Sequence, residues 1–276
     1  MTQDVVVIIG VGGMGLAIAR RVGSGRKVLL ADFNEATLEA AAAQLRGEGH
    51  LVTAHRVDVS DRASVAALAD TAAAAGRVTH IACTAGLSPV QASTEAILNV
   101  DLLGVAHSLD EFARVVAPGG AAVVIASMAG HFALGTLPVE AERALAATPT
   151  EALLDLPFLT QLPNPGAAYS VSKRANHLRV QAAAAGAWAA AGARVNSISP
   201  GVISTPMGQE ELAGESGAQM RAMVDASATK RLGTPDDIAA AAAFLLDPQL
   251  ASFITGTDLL VDGGAVAGVR ASGMLG

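Results

Sequence analysis

Two kinds of hydrophobic pattern alternate along the chain, and each predicts a different element. Short, almost continuously apolar runs are typical of parallel strands covered on both faces. They predict strands at Val5–Ile9, Lys27–Ala31, Leu51–Val57, Val78–Ala82, Ala121–Ala126, Ala193–Ile198 and Leu259–Val261. Longer segments with helical spacing predict helices at Met14–Val22, Glu35–Arg46, Arg62–Ala75, Thr94–Val116, Ala168–Ala191 and Pro235–Leu246. This alternation predicts a doubly wound α/β domain with a mainly parallel sheet of about seven strands.

One segment interrupts this alternation. The stretch from Phe132 to Pro165 combines several prolines and glutamates with a cluster of leucines. That composition predicts one or two short helices in an insertion that packs over the edge of the sheet, rather than a second domain. Residues 1–276 are therefore predicted to form a single domain. Long connections in compact domains are often functional, so the insertion is a candidate lid or a candidate contact between subunits.

Composition and charge narrow the class of protein. With 51% hydrophobic and 16% charged residues among 276, the chain is not of the disordered class. The formal net charge of −7 argues against a nucleic-acid partner. The single cysteine, Cys83, excludes an intrachain disulfide and a cysteine-cluster metal site. No basic leader and no apolar stretch of membrane-spanning length is recognisable, so we expect a cytoplasmic protein that does not bind membranes.

A glycine-rich turn follows the first predicted strand. Gly10, Gly12 and Gly15 fit the pattern G-x-G-x-x-G, with Gly13 and Met14 inside it. At a strand–helix junction such glycines permit a tight turn, close approach of a pyrophosphate and close packing of helix on strand. The N-terminus of the next helix attracts phosphate. The position predicts a dinucleotide site, and the alternative is an ordinary glycine-rich turn.

An acidic residue after the second predicted strand supports the dinucleotide interpretation. Asp32 lies 22 residues after Gly10. A carboxylate at this position accepts hydrogen bonds from the adenosine ribose and repels a 2′-phosphate, which favours NAD over NADP. Phe33, the next residue, is not basic and agrees with this preference. The alternative is a solvated aspartate that begins a loop.

Tyr169 and Lys173 form a second candidate for chemistry. They are separated by four positions near the start of a predicted helix, and residues at i and i+4 share a helix face. A nearby ammonium favours the phenolate form of a tyrosine, whose ordinary pKa of about 10 is too high for efficient proton exchange near neutral pH. Tyr169 is the only tyrosine of the chain. The alternative is a surface pair without function.

Taken in order, these motifs resemble those of the short-chain dehydrogenase/reductase family, and the likeness covers nearly the whole chain. The resemblance implies a Rossmann fold, an NAD cofactor and catalysis by Ser127, Tyr169 and Lys173. In particular, the chain is similar to bacterial hydroxysteroid dehydrogenases and carbonyl reductases that carry an insertion before the Y-x-x-x-K motif. Beyond the glycine-rich turn and Asp32, the resemblance places cofactor contacts at Asp58, Val59, Ala85, Gly86, Pro200, Gly201, Val202, Ile203 and Thr205.

The chain departs from the family pattern at three places. The glycine-rich loop is one residue shorter than usual, and Ile9 replaces its threonine. Cys83 and Thr84 replace two asparagines, which removes a loop-stabilising amide. Asp101 occupies the position of the family's catalytic asparagine, whose main-chain carbonyl holds a water in a proton relay. We predict that the backbone of Asp101 serves this role, and the alternative is a helix-packing residue.

The predicted activity is hydride transfer between NAD and a secondary alcohol or ketone. The leucine-rich insertion suits a bulky, apolar, steroid-like substrate if it is a lid. One alternative is an NAD-binding sensor or scaffold protein without turnover. Another is an NAD-dependent epimerase or dehydratase, although the C-terminal part is too short for the usual added substrate domain.

Two further expectations concern partners and metals. The family commonly pairs through its fourth and fifth helices, here Thr94–Val116 and Ala168–Ala191, so we expect a homodimer or homotetramer. His131 lies just beyond Ser127, where a place in the substrate pocket or in solvent is expected. Because none of the histidines shows metal-ligand spacing along the chain, no metal site is predicted.

Overall fold

The structure is a computed structural model that describes residues 3–273, and it alternates strands and helices along its length. The strands are β1 (Asp4–Ile9), β2 (Lys27–Asp32), β3 (Leu51–Arg56), β4 (Arg77–Cys83), β5 (Val116–Ile125), β6 (Arg194–Pro200) and β7 (Asp258–Val261). The helices are α1 (Gly13–Val22), α2 (Glu35–Gly47), α3 (Arg62–Ala75), α4 (Thr94–Ile97), α5 (Gly104–Ala113), α6 (Met128–Phe132), α7 (Val139–Ala147), α8 (Pro165–Ala185), α9 (Ala187–Ala190), α10 (Pro206–Ala213), α11 (Gly217–Ala226), α12 (Pro235–Leu246) and α13 (Ala265–Ser272).

All seven strands belong to one parallel sheet of order β3-β2-β1-β4-β5-β6-β7. The predicted doubly wound Rossmann sheet is therefore confirmed. The strand order reverses between β1 and β4, and the carboxyl ends of these strands border a crevice. In open α/β sheets, ligands bind in the crevice at such a switch point.

Helices cover both faces of the sheet, which explains why the strands read as continuous apolar runs. One core contains Val5 and Val7 of β1 together with residues of α3, α5 and α8. The core on the other face contains Val6 and Ile8 of β1 together with residues of α1, α2 and α12. These four β1 side chains are fully buried. Because successive side chains of a strand point to opposite faces, the same strand contributes to the hydrophobic core on each side of the sheet.

The predicted helix Thr94–Val116 differs from the observed structure in two ways. It is divided into α4, a π-helical segment at Leu98–Leu103 and α5. It also ends earlier, because β5 already begins at Val116. Pro118 and Gly119 follow, and Gly119 has a positive φ of 80°. The β4–β5 register shifts at this point, so the irregular start of β5 hides its strand character from a pattern analysis.

The insertion holds α7 and two 3₁₀ segments, at Thr150–Asp155 and Pro157–Gln161. Its position differs from the prediction, since it packs on the helix layer and not over the edge of the sheet. Leu145, Leu153 and Leu159 are buried against the π-helical segment, α5 and α8. Burial of a leucine side chain contributes roughly 1.5–3 kcal/mol. The segment is accordingly an integral part of the domain.

Arg179 of α8 binds this insertion from the helix layer on which the insertion packs. Its guanidinium is buried and donates hydrogen bonds to the carbonyl oxygens of Leu145 (3.2 Å) and Thr148 (3.0 Å) and to the hydroxyl of Thr150 (2.9 Å). Thr150 in turn donates to Asp110 of α5 at 2.6 Å. The insertion therefore covers part of the helix surface through which two subunits were predicted to pair.

Within residues 3–273, no helix is long and apolar enough to cross a bilayer.

Candidate active site

The β1–α1 turn has the close packing that its glycines predict. Gly10 has φ of +95°, and a Cβ at this position would lie 2.5 Å from the backbone nitrogen of Ala85. A Cβ on Gly15 would lie 2.0 Å from the carbonyl oxygen of Gly10. Both glycines are thus required by the contact of α1 with β1 and with the loop after β4. The shorter loop keeps this geometry although Ile9 replaces the family's threonine.

Space remains in front of the same turn for a phosphate. A Cβ on Gly12 would meet nothing within 4 Å, in contrast to Gly10 and Gly15. Gly12 precedes the first turn of α1, where no side chain caps the helix. The free backbone N–H groups of a ten-residue helix face this space and favour an anion. Gly12, Gly13 and Met14 therefore fit the pyrophosphate of a dinucleotide.

Asp32 closes this site at the end of β2. One carboxylate oxygen accepts a hydrogen bond from the backbone of Val11 (2.8 Å) and the other from Asn34 (2.9 Å). The carboxylate is thereby held beside the glycine turn and remains partly exposed. Phe33 is 60% exposed, and the guanidinium of Arg56 lies 4.9 Å from the centre of its ring. Neither Phe33 nor the guanidinium of Arg56 is a hydrogen-bond acceptor, so Asp32 is the acceptor that this edge could offer to ribose hydroxyls.

The loop after β3 adds Asp58 and Val59 to the same edge. One oxygen of Asp58 accepts hydrogen bonds from the backbone (3.0 Å) and the hydroxyl (2.6 Å) of Ser60. Val59 is buried, and a Cβ on Gly104 would lie 2.7 Å from its side chain. The carbonyl of Val59 also contacts Nδ1 of His107 at 3.0 Å. This loop is fixed to the start of α5 and borders the predicted adenine position.

The loop after β4 has other anchors in place of the missing asparagine amide. Thr84 donates a hydrogen bond from its hydroxyl to the carbonyl of Gly10 at 2.6 Å. Asp101 accepts from the backbone N–H of Leu87 at 2.8 Å. A Cβ on Gly86 would lie 3.1 Å from Asp101 Oδ1 and 3.4 Å from Lys173 Nζ. Thr84 and Asp101 therefore hold Ala85 and Gly86 against Lys173.

Ser127, Tyr169 and Lys173 converge where β5 ends. Ser127 begins α6, and its hydroxyl accepts a hydrogen bond from the backbone of Ala129 at 3.1 Å. Lys173 is buried, and its Nζ lies 5.3 Å from the centre of the Tyr169 ring. The same ammonium donates to the carbonyl of Ile125 at 3.3 Å. Helix α8 thus presents the tyrosine and the lysine on one face, as their spacing predicts.

The electrostatics of Tyr169 differ from the expectation based on the lysine alone. Burial raises the pKa of Tyr169 above its ordinary value, and this effect exceeds the opposite effect of Lys173. The charge of Asp101 raises the pKa further, whereas a hydrogen bond from Ser127 lowers it. The phenol is therefore the stable form near neutral pH, and Lys173 limits the rise of the Tyr169 pKa.

Asp101 lies in the π-helical segment, completely buried. Its second carboxylate oxygen has no hydrogen-bond partner and lies 3.9 Å from Lys173 Nζ. Burial raises the pKa of Asp101 above its ordinary value. Lys173 and the N–H of Leu87 act in the opposite direction, but their effects are smaller. A π-helical segment within a helix frequently marks a functional site. The open oxygen gives the lysine side of the site an acceptor for a water or a proton.

A cavity of about 320 Å³ opens in front of these residues. Ser127 and Tyr169 line it together with Met14 and the segment Pro200–Thr205. Thr205 caps α10 by accepting a hydrogen bond from Gly208 at 3.1 Å, and a Cβ on Gly13 would lie 3.1 Å from its methyl group. The predicted nicotinamide segment therefore adjoins the glycine turn. The size lies within the range of about 300–1,000 Å³ for small-molecule sites.

The far wall of this cavity was missed by the sequence analysis. It consists largely of side chains from α10 and α11, which the hydrophobic pattern did not predict: Met207, Glu211, Gln219, Met220 and Met223. Thr205-Pro206 was an available signal, because a threonine cap followed by proline marks the start of a helix. Of the insertion 132–165, only Phe132 lines the cavity. The structure places α10 and α11 over the site and the insertion elsewhere.

Comparisons with known proteins agree with this geometry. The family described as short chain dehydrogenase matches residues 4–139, and the one described as enoyl-(acyl carrier protein) reductase matches residues 159–266. A short-chain dehydrogenase/reductase named bsc3 from Alternaria brassicicola is 42% identical over 97% of each chain. The D-threitol dehydrogenase of Mycolicibacterium smegmatis is 31% identical, covering 91% of this chain and 88% of that protein.

Solved structures show the same likeness. A short-chain dehydrogenase/reductase from Serratia marcescens is 25% identical and superimposes with a TM-score of 0.73, covering 96% of this chain and 98% of the other. These similarities support an oxidoreductase that acts on CH–OH groups and do not favour the alternatives of a non-catalytic sensor, an epimerase or a dehydratase. The chain belongs to the short-chain dehydrogenase/reductase family, whose members bind nicotinamide cofactors.

Proposed function

We propose that the protein is an NAD-dependent oxidoreductase that interconverts a secondary alcohol and a ketone. The observation that carries the proposal is the placement of Ser127 and Tyr169 on one cavity, with Lys173 directly behind the tyrosine. The bound nicotinamide would accept or donate the hydride at the carbinol carbon. The chain then has to position the alcohol, move its hydroxyl proton and stabilise the charge that develops on its oxygen.

Each of these tasks has a residue in this site. In the oxidation direction, the hydroxyl proton of the alcohol passes to the Tyr169 phenolate while the C–H bond gives up its hydride. Ser127 donates a hydrogen bond to the substrate oxygen and stabilises its developing charge. Lys173 favours the phenolate and would bind the nicotinamide ribose. Asp101, 3.9 Å from Lys173, offers the acceptor through which the proton leaves the tyrosine–lysine pair.

The preference for NAD over NADP follows from the position of Asp32. Its carboxylate is held by the backbone of Val11 and Asn34, so it cannot turn away from a 2′-substituent without losing both hydrogen bonds. A 2′-phosphate would meet this fixed negative charge, whereas the ribose hydroxyls of NAD would donate to it. The nearby Arg56 is engaged with Glu35 at 3.7 Å and with the ring of Phe33. We therefore propose NAD as the physiological cofactor.

The wall of the cavity favours a substrate with a bulky, apolar body. Met207, Met220 and Met223 face it, and methionine side chains adapt to irregular apolar shapes. One acid, Glu211, also lines the cavity, where it is hydrogen-bonded to Ser88. An anionic substrate would be repelled by this carboxylate. We propose a neutral alicyclic alcohol, including the steroid-like class, while the related D-threitol dehydrogenase makes polyols the first alternative.

We also propose that the protein is a homo-oligomer. The insertion covers part of the helices that were predicted to pair, but the end of α8 beyond it exposes Ala182 and Ala185. Leu250 and Phe253, at the edge of the sheet near β7, are also exposed. A dimer that buries either surface is compatible with two-fold symmetry. Light scattering on the purified chain measures the oligomeric state directly.

The proposed function is tested by measuring the rate of NAD⁺ reduction with each of a panel of alcohols. The panel contains neutral alicyclic alcohols, alicyclic alcohols that carry a carboxylate, hydroxysteroids and polyols. The proposal expects turnover that is highest for neutral, apolar secondary alcohols and much lower with NADP⁺. Turnover of polyols alone would overturn the substrate class while leaving the oxidoreductase intact. A clear preference for NADP⁺ would overturn the cofactor assignment.

A further inference from the structure

Two histidines and an aspartate meet behind the active site, although they are far apart in the sequence. His131 belongs to α6, His177 to α8 and Asp258 to β7. Nε2 of His131 lies 2.7 Å from Asp258 Oδ2, and Nε2 of His177 lies 3.4 Å from Asp258 Oδ1. The three ligand atoms lie within 4.8 Å of one another. None of these groups is needed by the proposed reaction.

The surroundings orient the carboxylate. Asp258 Oδ1 accepts hydrogen bonds from the hydroxyls of Ser197 (2.6 Å) and Ser199 (3.0 Å), while Oδ2 contacts His131. Nε2 of His177 also lies 2.8 Å from the hydroxyl of Ser199. Oδ1 is thus held by β6 and lies beside His177, whereas Oδ2 faces His131. Carboxylate ligands of metal ions are commonly held by such outer hydrogen bonds.

We propose that His131, His177 and Asp258 form a binding site for a divalent transition-metal ion of the zinc class. Zn²⁺ binds imidazole nitrogen and carboxylate oxygen at about 2.0–2.2 Å, so neighbouring ligand atoms in a tetrahedral site lie roughly 3.3–3.5 Å apart. The 3.4 Å between His177 Nε2 and Asp258 Oδ1 matches this separation, whereas the 2.7 Å between His131 Nε2 and Asp258 Oδ2 is a hydrogen bond that a bound ion would replace and lengthen. Ser199 or a water would complete four ligands.

The site is accessible from solvent. The His131 side chain is 23% exposed, so the cluster is reachable. Arg270 of α13 donates to the backbone carbonyl of His131 at 2.9 Å and not to its ring. A cation can therefore enter beside His131.

A metal here would join β7 to the two helices that carry the residues of the active site. Ser127 begins α6 four residues before His131, and Lys173 lies one helical turn before His177 on α8. The two helices already touch, since a Cβ on Gly130 would lie 2.7 Å from the ring of His177. The ion would clamp the serine-bearing helix to the tyrosine-bearing helix. Its expected effect is on stability, with no direct part in hydride transfer.

The test uses tag-free protein that has been dialysed against a chelator. Isothermal titration with Zn²⁺ should show one site per chain, and Co²⁺ should give the intense visible absorption of a tetrahedral N/O complex. The melting temperature should rise with Zn²⁺. Saturable binding of one equivalent supports the proposal, whereas the absence of saturable binding of both ions overturns it.

Two variants and a control locate the ion. His131→Ala removes the exposed ligand, and Asp258→Asn retains the size of the side chain. Each should weaken Zn²⁺ binding at least about 100-fold, because loss of an outer hydrogen-bond partner alone costs 10–100-fold. His55→Ala, which removes a half-buried histidine on β3, should bind like the wild type. Equal Zn²⁺ affinity in His131→Ala and the wild type would show that the cluster is only a hydrogen-bonded clamp.

Discussion

The carboxylate of Asp101 lies 3.9 Å from the ammonium of Lys173, with both side chains buried, and the same lysine lies 5.3 Å from the ring of Tyr169. The positive charge of Lys173 therefore lowers the pKa of Tyr169, and the negative charge of Asp101 behind it raises that pKa. Because the chain contains a single tyrosine, the ultraviolet absorption of the phenolate reports the pKa of Tyr169 without interference from other tyrosines. The effects of Lys173 and Asp101 on the pKa of Tyr169 can therefore be measured directly.

Asp101→Asn should lower the pKa of Tyr169. Phenolate is negative, and the negative charge of Asp101 disfavours it, so removal of that charge favours ionisation. The expected shift is a few tenths of a unit to about one unit. The pH at which alcohol oxidation reaches half of its maximum should move down by the same amount. Phenolate absorption and a pH–rate profile measure the two shifts independently.

A matched control distinguishes a local effect from a change of net charge. Asp70→Asn also removes one negative charge, at an exposed ion pair with Arg114 on the outside of the domain. It should leave the pKa of Tyr169 unchanged. An Asp101→Asn protein with an unaltered tyrosine titration would contradict the electrostatic effect of Asp101 on Tyr169.

Asp32→Asn should narrow the difference in affinity between NADH and NADPH. The asparagine can retain one acceptor for the backbone but removes the charge that repels a 2′-phosphate. NADPH binding should strengthen about tenfold, which corresponds to the roughly 1–2 kcal/mol expected for one partly exposed charge pair. Fluorescence titration of both cofactors gives the affinities.

Glu39→Gln provides the comparison for Asp32. Glu39 lies on α2, and its exposed carboxylate lies 3.9 Å from Arg46 and is not paired with Arg56. If the preference results from the local contact of Asp32 with the ribose, Glu39→Gln should change the ratio of NADH affinity to NADPH affinity little. Equal affinities of the wild type for both cofactors would contradict the assignment of NAD.

Arg179→Met should destabilise the domain without impairing catalysis. The guanidinium holds the insertion through three hydrogen bonds, and its methionine replacement retains an apolar stem of similar length. Loss of these bonds should reduce the free energy of unfolding by roughly 2–4 kcal/mol. Arg143→Ala removes an exposed arginine of α7 and should have almost no effect. Denaturant unfolding and steady-state kinetics provide the two readouts.

The same pair of variants tests where the insertion acts. Only Phe132 of the insertion lines the cavity, so Arg179→Met should leave the Michaelis constant of a bulky alcohol within about twofold of the wild type. A strong increase of that constant with unchanged stability would support a lid. A change of the oligomeric state in light scattering would support a subunit contact.

Much of the fold could be predicted because strands and helices leave a strong periodic signal. Val5–Ile9 reads as a buried strand in the sequence and occupies the middle of the sheet. The glycine turn and the Tyr169–Lys173 pair could be found because each is a local pattern within one stretch of chain. Asp32 could be found because it ends the strand that follows the glycine turn, and the contact between Gly10 and Ala85 follows once β1 and β4 are known to be neighbours.

Other features depend on contacts that no local pattern contains. The insertion was placed wrongly because its leucines indicate burial but not the surface that they cover. The direction of the Tyr169 pKa was missed because the spacing reveals Lys173 but not the burial of the phenol or the proximity of Asp101. His131, His177 and Asp258 come from three elements, so no ligand spacing could reveal their cluster.

In the proposed reaction, Tyr169 transfers the proton and NAD is the cofactor for the oxidation of a secondary alcohol. The most direct test of this reaction is the rate of NADH formation by the wild type and by Tyr169→Phe, with NADH binding measured on both proteins. The phenylalanine retains the ring beside Lys173 and removes only the hydroxyl, so NADH affinity should be unchanged. Turnover should fall by about 10²–10⁴-fold, the usual contribution of general acid–base catalysis. Retention of most of the activity by Tyr169→Phe would contradict the mechanism.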